Sequence, residues 1–306
     1  MRFLFYKVML VVILVVSVYN ANMIEHVQAG KMHVDELRVE IEKAAAKNNA
    51  SPINAKIDPV WKLMPGLEGR TIDEEASLLA MEKRGVFSNN KLVYKVSPPK
   101  VSIHSLPAAP IYRGLDEKRM VAFTINVAWG EEYLVKILEV LEKHKIHATF
   151  FLEGKWTEKN PEIAKMLVDK GHEVGNHSYS HADMKEISSS QIEEELDKTN
   201  IAIKKATGKI VKIFAPPSGS YRDETISIAK EKGMFTTLWT VDTIDWQKPE
   251  PSLIVKRIQK KLHSGAIVLM HPTKPTAQAL EECITYIHSK GLKIGTVSEL
   301  ISEKRK

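Results

Sequence analysis

From Met120 onward the sequence alternates short apolar runs with stretches whose apolar residues recur every three to four positions, and that alternation dictates an α/β architecture with a mainly parallel sheet. Seven runs read as strands, at residues 121–126, 148–152, 173–176, 211–214, 235–240, 266–270 and 293–295. Between the first two, Leu134, Ile137, Leu138 and Leu141 fall on one helical face. Between the third and fourth, Ser190 and Glu193 have capping-box spacing, Ile192, Leu196 and Ile203 face inward, and Gly208 stands where the helix should stop. Seven short βα units in residues 120–306 are fewer than a standard eight-unit barrel holds, so the expected fold is a smaller, distorted (β/α)7 barrel of TIM-barrel type.

The preceding chain is different. Arg2 and Lys7 flank an unbroken apolar run at 8–18, and Ala29 with Val27 two before it has cleavage-site character. Residues 1–29 are therefore expected to be a secretory signal peptide or a membrane anchor, the run being short for a spanning helix. The protein is expected to be exported, to the cell wall or medium or held at the membrane. Residues 30–114 read as a small N-terminal region: polar helices near 35–46 and 73–83, an apolar cluster of Trp61, Leu63, Met64 and Leu67, and an extended linker carrying Pro98, Pro99, Pro107 and Pro110. The barrel is expected over 115–306. A composition of 43% hydrophobic and 27% charged residues excludes disorder and a multi-span membrane protein. The net charge of +6 suits acidic partners such as wall polymers or anionic lipid and is too small to indicate nucleic acid. Cys283 is the only cysteine, so an intrachain disulfide and a cysteine zinc site are excluded, and any metal must rest on His and carboxylate.

Barrels of parallel strands place functional side chains at the strand C-termini. After the third strand come His177 and His181, which project from one side if the segment turns helically, as metal ligation requires. Alone, that pair reads equally as a strand cap and a surface residue. After the fourth strand Pro217, Gly219 and Tyr221 lie in a rigid turn that sets Tyr221 at the rim. The fifth is followed by Asp242, Asp245 and Trp246, and the sixth by Leu269 and His271. Singly, Trp246 and His271 read as core residues. Four such segments at successive strand ends point to one shared site.

This order resembles the NodB-homology polysaccharide deacetylases, carbohydrate esterase family 4, over residues 120–300, and within them a sporulation-associated branch of Bacillus type. The resemblance implies removal of N-acetyl groups from chitin-like or peptidoglycan glycan with a divalent metal, usually zinc. It assigns His177 and His181 as metal ligands, His271 as the acid that protonates the leaving amine, and Asp245 as its orienting partner. Trp246, Asp242 and the Pro217–Gly219–Tyr221 turn would wall the sugar groove. The first motif departs from the family: where T-F-D-D-G is usual, the chain has Thr124, Ile125, Asn126, Val127 and Ala128. Asn126 takes the place of the general base, and Val127 or a neighbour that of the carboxylate ligand. Ala215 replaces the arginine that pairs with the base, and a guanidinium without that carboxylate would be a liability.

Losing the base removes a contribution worth a factor of about 10² to 10⁴. Without the carboxylate ligand, zinc or another divalent ion would be held weakly by His177 and His181. Glu131, Glu132 and Asp183 are the carboxylates within reach of a rescue, although helix and turn capping account for them better. Two readings follow: a deacetylase with weak or lost activity, or a non-catalytic glycan-binding scaffold using Tyr221, Trp246 and Trp129 as stacking surfaces.

Overall fold

The computed structural model describes residues 31–305, and the apolar run at 8–18, with the signal or anchor expected there, lies outside the described residues. Two compact units are present, one from residues up to 52 together with 68–98, the other from 53–67 and everything from 99 onward. Ahead of the barrel the elements are α1 (Val34–Asn48), β1 (Lys56–Asp58), β2 (Lys62–Met64), β3 (Gly69–Ile72), α2 (Glu74–Glu82) and β4 (Tyr94–Ser97).

In the smaller unit, α1 and α2 fall where helices were expected, and the antiparallel pair β3–β4 completes a core of Leu37, Ile41, Ile72, Leu78 and Met81. Helix α2 opens at Asp73, whose carboxylate accepts the Ala76 N–H. The expectation of one region over 30–114 ending in a linker is corrected. Residues 53–67 and the proline-rich run fold with the barrel, because they carry Ala55, Leu63, Ile103 and Ile111, apolar side chains that need a core to fill.

The barrel continues as β5 (Met120–Val127), α3 (Glu131–Lys143), β6 (Thr149–Leu152), α4 (Gly154–Lys159), α5 (Pro161–Asp169), β7 (Glu173–Asn176), α6 (Ser189–Thr207), β8 (Ile213–Phe214) and α7 (Asp223–Glu231). It ends with β9 (Phe235–Thr236), β10 (Val241–Asp242), α8 (Pro251–Lys261), β11 (Ile267–Met270), α9 (Lys274–Ser289), β12 (Lys293–Gly295) and α10 (Val297–Ile301). The strands run parallel in the order β10-β11-β5-β6-β7-β8-β9, with β12 beside the start of β5.

The strand expected over 235–240 is split. Phe235 and Thr237 donate their N–H groups to Lys212 and Phe214 on one sheet edge, while Thr240 and Thr243 donate to Ile267 and Leu269 on the other. One stretch of chain thus joins both edges and closes the curled sheet. The helix expected to start at a Ser190–Glu193 box starts two residues earlier, because Ser188 and Gln191 satisfy each other's backbone N–H groups; it stops at Gly208 in the left-handed conformation.

Alternation along each strand sorts its side chains into two cores. Val121, Phe123, Ile125 and Val127 of β5 join Phe150, Leu152 and Val268 under the helices. Ala122, Phe151, Ile213, Ala215 and Ile267 face the barrel interior, which Leu63, Ile103, Ile111, Leu300 and Ile301 fill. Glu303 ties this filling together by accepting from Ser102, Ile103 and Gly66.

Candidate functional site

Beyond that filling, a cavity of about 470 Å³ is lined by Asn126, Ala128, Trp129, His177, His181, Ser218, Trp239, Asp242, Trp246, Leu269 and His271. The strand ends thus bring together Asn126, Trp129, His177, His181, Asp242, Trp246, Leu269 and His271, all singled out in the sequence.

His177 follows β7 and is buried, its Nδ1 donating to the Ala215 carbonyl at 2.8 Å. Burial pushes its pKa down to about 3, helped by the nearby His181 and His271, so the ring is neutral and its acceptor nitrogen is Nε2. Burial also lowers the pKa of His181. The two rings sit 5.2 Å apart between centroids at 78°. The expected helical turn does not bring them together. Ser178 and His181 instead adopt positive φ, the Asn176 side chain accepts from the Ser178 N–H, and Glu195 on α6 accepts the N–H groups of Tyr179 and Ser180.

On the opposite wall Asp245 is fully buried and accepts from His271 Nδ1 at 2.8 Å, from the His271 backbone N–H and from the Thr276 hydroxyl. Trp129 stacks over the His271 ring, with centroids 6.0 Å apart and planes 3° from parallel. Gly130 allows that approach: its φ is +82°, and a Cβ there would lie 2.1 Å from the Pro272 carbonyl oxygen. Asp242 Oδ1 accepts the Ile244 N–H, and Trp246 is 51% exposed at the rim.

Asn126 is 5% exposed, and its Oδ1 is buried without a hydrogen-bond partner. Val127 does not face the cavity. Strand β5 stays regular through this residue, so its side chain turns into the outer core, and Ala128 lines the cavity in its place. Ala215 is buried in the barrel interior. Of the turn that carries Pro217, Gly219 and Tyr221, only Ser218 reaches the lining. Pro217 is buried, a Cβ on Gly219 would press on the Trp239 ring at 2.9 Å, and the Tyr221 hydroxyl meets that of Tyr112 at 3.0 Å. Burial and that contact push the Tyr112 pKa well above its ordinary value. Trp239 supplies the wall instead; strand reading missed it because it lies where the expected fifth strand breaks. Its signal was an indole beside two strand-end carboxylates.

The candidate rescuing carboxylates are engaged elsewhere. Asp183 accepts from the Lys185 N–H and the Ser220 hydroxyl, Glu131 accepts from the Trp156 indole, and Glu132 stands in the first turn of α3. None of the three lines the cavity. Among the described residues no group of three or more His, Cys, Asp or Glu is placed to hold a metal ion. Two neutral imidazoles beside an uncharged amide do not fit the three-ligand set with an anionic carboxylate that a catalytic zinc of this kind requires.

A family model described as polysaccharide deacetylase matches residues 113–236. Peptidoglycan-N-acetylmuramic acid deacetylase PdaA of Bacillus subtilis is 31% identical over 198 residues, 63% of this chain and 75% of that protein. The chain belongs to the polysaccharide deacetylase family, carbohydrate esterase family 4. The Bacillus subtilis protein YlxY is 51% identical over 271 residues, 89% of this chain and 85% of that one. A crystal structure described as a CE4 family pseudoenzyme from Bacillus anthracis is 51% identical, with a TM-score of 0.82, and the match covers 88% of this chain and 96% of that one. A mutant of that pseudoenzyme is described as having restored enzymatic activity. As a family member, this chain keeps the fold, and residues 124–128 at the end of β5 carry no carboxylate.

Proposed function

We propose that this protein is an exported pseudoenzyme that binds N-acetylated cell-wall glycan, of peptidoglycan or chitin type, in the cleft and does not hydrolyse it at a useful rate. The observation that carries this reading is Asn126, an amide in the cavity lining where the family places its base, with Ala128 beside it and Asp242, which accepts the Ile244 N–H, the one carboxylate of the lining. An amide cannot accept the proton of an attacking water near neutral pH. His271, held by Asp245, would still present a nitrogen to the glycan's amide, and Trp129, Trp239 and Trp246 would offer apolar faces to pyranose rings. The family's relatives named for peptidoglycan deacetylation support the choice of glycan. Positive net charge suits an acidic wall.

The test is acetate release from peptidoglycan and from N-acetylglucosamine oligomers, with zinc, cobalt or nickel added, beside a His177→Ala control. The expected result is no release above that control, together with measurable oligosaccharide affinity. Release that the control abolishes would overturn the proposal.

A further inference from the structure

Between Asp197 and Asp223 lie 25 residues without a single acid. They hold Lys198, Lys204, Lys205, Lys209, Lys212 and Arg222, as much positive charge as the net +6 of the whole chain. Lys198 and Arg222 are paired, with Glu194 and Glu224. The other four lysines are exposed and have no acidic partner among the described residues. Asp197, the nearest acid before them, is taken by Lys232.

The fold gathers these four lysines at one place. Lys204 and Lys205 occupy the last turn of α6, where cations favour the negative end of a helix, and that accounts for two of them. Lys209 and Lys212 come after the helix has stopped at Gly208, where a Cβ would meet nothing within 4 Å, and lead directly into β8. Two isoleucines stand among them, each 67% exposed. Ile201 precedes Lys204 and Lys205 by three and four residues and so shares their face of α6, and Ile210 lies between Lys209 and Lys212. Large apolar side chains held in water among unpaired lysines serve no core.

We infer that the turn between α6 and β8 docks on an anionic bilayer surface, its lysines on the phosphate headgroups and Ile201 and Ile210 in the interfacial layer. The mixture of charge and apolar side chains selects a bilayer over a soluble polyanion, which would answer the lysines and leave the isoleucines wet. This patch lies at the start of β8, whereas the cleft is built at the strand ends, so docking leaves the cleft turned away from the lipid. Docking here requires nothing of the glycan reading; the two ends of the barrel act independently.

Titration of the full chain with sucrose-loaded vesicles tests this by cosedimentation, using phosphatidylcholine alone and an equal mixture of phosphatidylcholine and phosphatidylglycerol. The apolar run at 8–18 is present throughout, so the quantity read is the ratio of the two affinities. The expected ratio is about 10²-fold in about 0.1 M salt, each lysine near an anionic surface being worth about fivefold, and it should collapse in about 0.5 M salt. Lys204→Gln, Lys205→Gln, Lys209→Gln and Lys212→Gln combined should bring the ratio to within about threefold of unity. Lys47→Gln, Lys83→Gln, Lys91→Gln and Lys100→Gln, an equal change in net charge at exposed positions elsewhere, should leave most of it. Ile201→Ser with Ile210→Ser should weaken binding to the anionic vesicles about tenfold and leave binding to soluble poly(glycerol phosphate) unchanged. Equal binding of the unmodified chain to both vesicles would overturn the inference whether or not a variant folds, and so would equal losses in the two lysine variants. Isoleucine replacements that leave vesicle binding intact would assign the patch to a soluble polyanion and overturn the bilayer as its partner.

Discussion

On one side of the cleft His271 is gripped by a fully buried Asp245 whose oxygens also receive a backbone N–H and a threonine hydroxyl; on the other, Asn126 ends in a buried oxygen that nothing answers. The first arrangement is self-sufficient, because its charges and donors are satisfied within the protein. The second leaves a buried acceptor without a donor among the described residues. The contrast shows that two walls of one cleft differ in how far the protein itself satisfies their polar groups. The His271–Asp245–Thr276 network also ties the β11–α9 turn to the segment after β10. A base carboxylate and its arginine stabilise mainly each other, so losing one removes the reason for the other.

The largest change expected from testing this contrast is recovery of hydrolysis. Asn126→Asp, Ala128→Asp and Ala215→Arg combined should raise zinc-dependent acetate release by about 10²-fold or more over the unmodified chain. Asn126→Asp alone should recover less than Asn126→Asp with Ala215→Arg, since the base would lack its partner. Val127→Asp should fail to substitute for Ala128→Asp and should lower the thermal midpoint, because that side chain packs under the helices. Equal rescue by the two aspartates would mean that the outward register of Val127 is wrong.

Breaking the satisfied side should come next. Asp245→Ala strands two N–H groups and a hydroxyl and is expected to cost about 2–4 kcal/mol in urea unfolding. Asn126→Leu is expected to cost nothing measurable or to stabilise, since it removes an unpaired polar atom. Comparable losses in both variants would erase the distinction between the halves.

The smallest effect separates the cleft from its scaffold. His172 is 7% exposed, its Nδ1 accepts the Ala148 N–H, and the groups around it are His147, Lys170 and Glu142. Burial, reinforced by His147 and Lys170, pushes its pKa down to about 4. The folded value lies below the unfolded one of about 6.5, so the unfolded chain binds the extra proton between them. The neutral ring's contribution is therefore complete above about pH 6.5 and is lost as pH falls toward 4, on the order of 2 kcal/mol. His172→Gln keeps an acceptor for Ala148 and should flatten that fall in unfolding experiments at pH 7 and 4.5. An unchanged pH slope would place the sensitivity elsewhere.

Much of this was legible in sequence for identifiable reasons. The sequence reading located β5, β6, β7, β11 and β12 to within two residues, and for β5, β6 and β11 the reason is that strands buried on both faces need nearly continuous apolar runs. The order of strand-end motifs gave His177, His181, Asp242, Trp246 and His271 as cleft residues. What stayed hidden depended on backbone direction and on distant pairing. The outward turn of Val127 follows from strand regularity one residue past the expected end. The break at residues 237–240 follows from partners on two different edges, which no local pattern encodes. The proline-rich run looked like a tether because its few apolar residues find their core only among side chains far along the sequence.

That last feature sets the smallest piece of chain that can stand alone. A fragment beginning at residue 115, where strand counting would cut, omits Ala55, Leu63, Ile103 and Ile111 and leaves the barrel floor open to water. It also leaves Glu303 facing the places of its lost donors Gly66, Ser102 and Ile103. Residues 68–98 are inserted in sequence between the two floor segments, and they share a core with α1, which precedes the first of them. Shortening this protein therefore means removing both pieces of the smaller unit, residues before 53 and 68–98, and keeping the two floor segments.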